Sequence, residues 1–108
     1  MLKTIDPPKT YRSRVETIWL HSPILQENPA GIPAERPVSL YIPPEAGQNG
    51  RRLPVLFELA PWTSAGRQQL AWQAFRESLP DRLDRLISSG QIPPAIVVCP
   101  DLYTYFGG

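Results

Sequence analysis

The sequence predicts an α/β fold, a small sheet built around a strand–helix–strand crossover. Two short apolar runs, Val55 to Leu59 and Ala95 to Cys99, have the near-continuous pattern of strands buried on both faces. Between them Leu79, Leu83, Leu86 and Ile87 recur at i, i+4, i+7 and i+8, the stripe of a helix lying on a sheet. Gly90 supplies the left-handed residue that ends such a helix, and Pro93 and Pro94 prevent its continuation. Two buried strands joined by a covering helix form a right-handed βαβ unit. The stretch from Leu53 to Asp101 is therefore the organising part of the chain.

Residues 1–12 read as an irregular leader, because Asp6-Pro7-Pro8 interrupts any regular element. Residues 13–108 form the α/β domain. Ser13 to His21 is the first strand: Val15, Thr17, Trp19 and His21 alternate with Arg14, Glu16, Ile18 and Leu20. Pro37 to Pro43 is the second, with Val38, Leu40 and Ile42 on one face and Ser39 and Tyr41 on the other. The intervening Asn28-Pro29-Ala30-Gly31-Ile32-Pro33 loop lets these two strands pair antiparallel. A turn-rich connector through Asn49-Gly50 leads to the third strand. Gln68 to Glu77 is expected to be a ragged helix, carrying Leu70, Ala71, Trp72, Ala74 and Phe75. Ser78 then caps the main helix, with Pro80 and Asp81 in its first turn.

The composition excludes several classes of function. A net charge of +1 with scattered arginines offers no footprint for nucleic acid or an anionic membrane surface. Cys99 lies inside an apolar run and reads as a small core residue; a single cysteine forms no internal disulfide. The N-terminus lacks an apolar signal region, and no run reaches the ~20 residues that span a bilayer. A cytoplasmic location is the expectation.

A serine hydrolase needs a nucleophile on a tight turn, a histidine to take its proton and a carboxylate to orient the histidine. No G-x-S-x-G occurs, and the one histidine, His21, ends a strand upstream of every candidate loop. One His and one Cys remote in sequence make no metal cluster, and there is no G-x-G-x-x-G or Walker pattern, so neither metal nor cofactor is expected. Asp81 and Asp84 alternate with Arg82 and Arg85 and read as an exposed charged face. Glu58 is an acid within an apolar strand. In an open α/β sheet ligands bind outside the carboxyl ends of the parallel strands. The loops leaving those ends are Ala60 to Gly66 and Asp101 to Gly108, and backbone amides in the first could face developing negative charge.

The residues SLYIPPE, then RRLPVLFELAPWTSAG, then LPDRLDRLISSGQIPPAIVVCPDLYTYFGG resemble the N-terminal part of an α/β-hydrolase. The family is the one that includes esterase D, the enterochelin-esterase-like and the mycolyltransferase-like proteins. The resemblance covers Ser13 to Gly108. It implies the N-terminal half of an α/β-hydrolase sheet, an antiparallel strand pair followed by the βαβ unit, here truncated. The full-length relative would be a carboxylic-ester hydrolase working through an acyl-serine intermediate. Ala60-Pro61 stands where the family usually has His-Gly; Pro61 has no amide hydrogen, so the oxyanion donor falls to the backbone N–H of Trp62. Substrate would meet Trp62 and Thr63 in the first loop and Asp101 and Tyr103 in the second. The family's nucleophile, acid and histidine have no counterpart here, so the chain is expected to be inactive alone. Its exposed sheet edge would be covered by the missing C-terminal half or by an oligomer. The alternative is a non-catalytic binding or interaction module using that edge with the Trp62 and Tyr103–Phe106 loops.

Overall fold

The computed structural model describes residues 10–61, 65–102 and 104 of the 108. Strands β1 (Arg14–His21), β2 (Glu35–Ile42), β3 (Val55–Phe57) and β4 (Ile96–Pro100) form one mixed sheet in the order β1-β2-β4-β3. β1 pairs antiparallel with β2, β2 antiparallel with β4, and β3 parallel with β4. Two helices, α1 (Gly66–Gln69) and α2 (Leu79–Ser88), lie between β3 and β4 in sequence. The expected antiparallel pair and parallel βαβ neighbours are therefore both present, and β2–β4 pairing joins them into one sheet.

The β1–β2 connector is held by one side chain. Asn28 donates from Nδ2 to the carbonyls of Leu25 (2.7 Å) and Ile32 (2.6 Å), and its Oδ1 accepts from the Ile32 amide (3.1 Å). α2 has clear signals at both ends. The Ser78 hydroxyl accepts from the Asp81 amide at 3.2 Å, an N-cap, with Pro80 and Asp81 in the first turn. At the other end Gly90 takes a φ of 75°. Its amide bonds Ile87 O, and that of Gln91 bonds Leu86 O, closing a Schellman motif.

The register decides which face is core. Tyr41 stands opposite Val97, and Ser39 opposite Cys99, so these four share a face. α2 packs on it with Leu83 and Ile87, and Tyr11, Leu70, Leu79 and Ile92 surround the cluster. Val38, Leu40 and Ile42, the more apolar set of β2, lie on the other face with Ile96 and Val98. On that face Val38 is buried, and Leu40, Ile42, Ile96 and Val98 are partly buried.

Three local expectations differ from the structure. The helix over Gln68 to Glu77 reduces to α1; the chain then turns, with an isolated antiparallel bridge between Gln73 and Arg76 and a left-handed Phe75 at φ 64°. Trp72 and Phe75 are exposed, so no buried face exists to extend the helix beyond its nucleus. β3 is exposed on both faces rather than buried, because it is the edge of the sheet. Asp84 is buried rather than part of an exposed charged face: Tyr41 donates to its Oδ1 at 2.5 Å.

Candidate functional site

The parallel pairing brings the carboxyl ends of β3 and β4 side by side. The Glu58 amide donates to Val98 O at 2.9 Å, just as β3 ends. The loop that leaves β3 at Ala60-Pro61 returns through Ala65 to Gly66, which sits hard against the end of β4. A Cβ at Gly66 would collide with the carbonyl oxygens of Cys99 and Pro100, so only glycine permits this approach. Both loops therefore issue from one end of the sheet, the end at which ligands bind in open α/β folds.

Of the sequence-predicted residues, Trp62, Thr63 and Tyr103 lie outside the described residues. Asp101 is largely buried and tied to β2. Its amide donates to Pro37 O at 3.1 Å, and Arg36 Nη2 donates to its carbonyl at 2.9 Å and lies 3.5 Å from Oδ1. This clasp fixes where the second loop leaves the sheet.

Beside the end of β3 lies an open groove of about 640 Å³, bordered by Glu58, Gln68, Trp72, Gln73, Arg76 and Arg82 and by the start of α2. Its charges are partly committed. Glu77 accepts two hydrogen bonds from Arg85, both at 3.0 Å, and Arg82 Nε is 3.5 Å away. The Arg85 contact holds the Glu77 carboxyl below its usual pKa and raises that of the guanidinium. Sequence reasoning missed the groove. Its only advance signal was position, because Glu58 and Ser78 bracket the crossover at the carboxyl end of β3.

Cys99 is fully buried, and burial pushes its thiol up to about 11, with the nearby Glu58 carboxylate adding to the shift. It is a core residue, as its apolar setting predicts. His21 ends β1 at the outer strand, with β2 between it and β4, and its Nδ1 lies 2.6 Å from Glu35 Oε1. Its ring partner is a carboxylate and not a hydroxyl nucleophile. The described residues contain no His/Cys/Asp/Glu group able to hold a metal ion, and no helix among them is long and apolar enough to cross a membrane.

The fold and site define a small mixed α/β sheet with two loops converging at the carboxyl ends of its parallel strands. No family model matches the chain, and no curated protein compared with it matches. Solved structures do match. One is a ferulic acid esterase, which superposes with a TM-score of 0.61 at 24% identity, over 84% of this chain and 31% of that one. The chain thus shares the fold of part of that esterase and spans about a third of its length.

Proposed function

We propose that the chain is the sheet-founding part of an ester hydrolase. The observation that carries this reading is the convergence of the β3 and β4 carboxyl ends, sealed by Gly66 on the Cys99 and Pro100 carbonyls. Likeness in fold to part of a ferulic acid esterase supports it. In this reading the loop after β3 supplies the Trp62 amide to the developing oxyanion, and Thr63, Asp101 and Tyr103 line the substrate's approach. An ester of a carboxylic acid is the substrate class. The nucleophile, acid and histidine come from further polypeptide, in keeping with esterase D and its relatives.

The chain alone is then expected to be inactive, since a site without its triad keeps only residual acceleration. Turnover of p-nitrophenyl acetate by purified protein, with fluorophosphonate labelling as a second readout, tests this. Stoichiometric labelling of one serine would defeat the reading. The second reading, a non-catalytic interaction module, is favoured by one observation: Leu56 and Phe57 of the edge strand and Trp72, which borders the groove with Glu58, are all exposed.

A further inference from the structure

The chain has two asparagines, and the fold treats them oppositely. Asn28 is held by the β1–β2 connector: its Nδ2 donates to the carbonyls of Leu25 and Ile32, and its Oδ1 accepts from the Ile32 amide. Pro29, which follows it, has no amide hydrogen. Asn49 is exposed in the short 3-10 turn Gln48–Gly50, between β2 and β3. Its side chain has no hydrogen-bond partner among the described residues. Gly50, which follows it, is exposed as well, and a Cβ placed there would meet nothing beyond its chain neighbours within 4 Å. The turn is also lightly held. Asn49 lies at φ 51°, ψ 33° and Gly50 at φ 69°, left-handed conformations that only glycine and short polar residues visit routinely. The Arg51 amide closes the turn on Gln48 O at 2.8 Å, but no residue of the turn is buried, so it opens at low cost.

We infer that Asn49-Gly50 is a site of self-modification, at which the folded chain deamidates and isomerises. Rotation about ψ in the opened turn brings the Gly50 nitrogen towards the Asn49 Cγ. A solvent base removes the Gly50 amide proton, and the nitrogen attacks Cγ. The Cγ–Nδ2 bond breaks, and Nδ2 takes protons from water and leaves as ammonia, closing a cyclic imide. Water then opens the imide. Addition at Cγ leaves an aspartyl residue, and addition at the main-chain carbonyl carbon leaves an isoaspartyl residue whose backbone runs through Cβ. Overall a water is consumed and an ammonia released, with nothing oxidised or reduced. Glycine helps because no Cβ hinders the ring closure. Arg51 and Arg52, both exposed, follow directly, and their positive charge favours the anionic nitrogen and then the new carboxylate. Asn28 is barred twice, by the missing amide proton of Pro29 and by its own hydrogen bonds. The conversion takes the net charge from +1 to 0. In the isoaspartyl form it also adds a main-chain carbon to the turn that leads from β2 to β3. The site is independent of the hydrolase reading.

The 108-residue chain, kept folded in mildly alkaline buffer and sampled over days, tests this. A more acidic band should grow in on isoelectric focusing, with a mass gain of a single unit that peptide mapping places at residue 49. Part of that species should accept a methyl group from a protein isoaspartyl methyltransferase, and Asn28 should stay intact. The band should form faster as pH rises, because the reacting nitrogen is the deprotonated one. Asn49→Gln, with a side chain one carbon longer, should suppress the band. Gly50→Ala should slow it, and the exposed position of both residues leaves the rest of the fold in place, as circular dichroism checks. A folded chain whose Asn49 stays intact overturns the inference, whether or not the same chain converts in urea. Equal conversion of Asn28 and Asn49 overturns it as well, because the fold would then not select the site. An acidic band that persists in Asn49→Gln places the reaction elsewhere and has the same consequence.

Discussion

His21 and Glu35 face each other across β1 and β2, with Nδ1 and Oε1 2.6 Å apart. The hydrogen bond to Glu35 raises the imidazole above its usual pKa of 6.5. A group raised in the folded state stabilises fully below its unfolded pKa, and that contribution is lost as pH rises through the folded value. Because His21 is the only histidine, its proton NMR titration is unambiguous. The midpoint should lie above 6.5, and Glu35→Gln should bring it down; a wild-type midpoint at or below 6.5 would contradict the pairing. A buried pair matters more for stability. Tyr41, fully buried, donates to Asp84 at 2.5 Å, tying β2 to α2. Burial, then the bond to Asp84, holds the Tyr41 phenol well above its ordinary range, and burial likewise pushes Tyr11 up to about 12. Tyr41→Phe leaves the Asp84 oxygen without this donor and should cost about 1–3 kcal/mol in a urea denaturation. A double-mutant cycle with Asp84→Ala should return most of that as coupling.

At the scale of elements, the contact between α1 and β4 depends on a missing side chain. Gly66 opens α1 directly against backbone carbonyls, which cannot swing aside as a flexible side chain could. Gly66→Ala must displace α1 or the end of β4. We expect a loss of about 1–3 kcal/mol in the urea midpoint, as for other overpacked sites. A neutral substitution would show that the loop after β3 is not anchored there. α2 is secured differently, by its cap, its Schellman turn and a stripe of Leu83 and Ile87 set into the sheet.

The whole molecule is a slab, with principal extents of 48 × 42 × 17 Å. Its radius of gyration of 16.0 Å exceeds the roughly 13 Å of a compact chain this long. Its accessible surface of 7747 Å² exceeds the about 6,000 Å² expected for its mass. Sheet and helices make two layers, and several large apolar side chains are exposed, among them Val15, Leu20, Leu56 and Phe57. Each large aliphatic side chain left uncovered forgoes about 1.5–3 kcal/mol, and a few such losses rival the ~5–15 kcal/mol stability of an ordinary domain. The isolated chain should therefore melt below about 50 °C, with a midpoint that depends on protein concentration. Calorimetry with light scattering checks this; a sharp, reversible, concentration-independent transition well above that temperature would show a self-sufficient domain.

Local chemistry was legible along the chain. Ser78, the apolar stripe and Gly90 bounded α2, and the apolar runs located β3 and β4, because caps, periodicity and turn glycines act within a few residues. The placement of the candidate loops at one end of the sheet also followed from the parallel crossover alone. Long-range register was not legible. In β2 the alternation separates Val38, Leu40 and Ile42 from Ser39 and Tyr41 without saying which set lies under the helix; pairing of Tyr41 with Val97 and Ser39 with Cys99 put the polar set there. The same pairing buried Asp84, which in sequence looks like one more charge on an arginine-laced face. It also left β3, apolar enough for a sheet interior, at the edge. A side chain's type reports what its surroundings should be, but which surroundings it meets depends on strands brought together from distant parts of the chain.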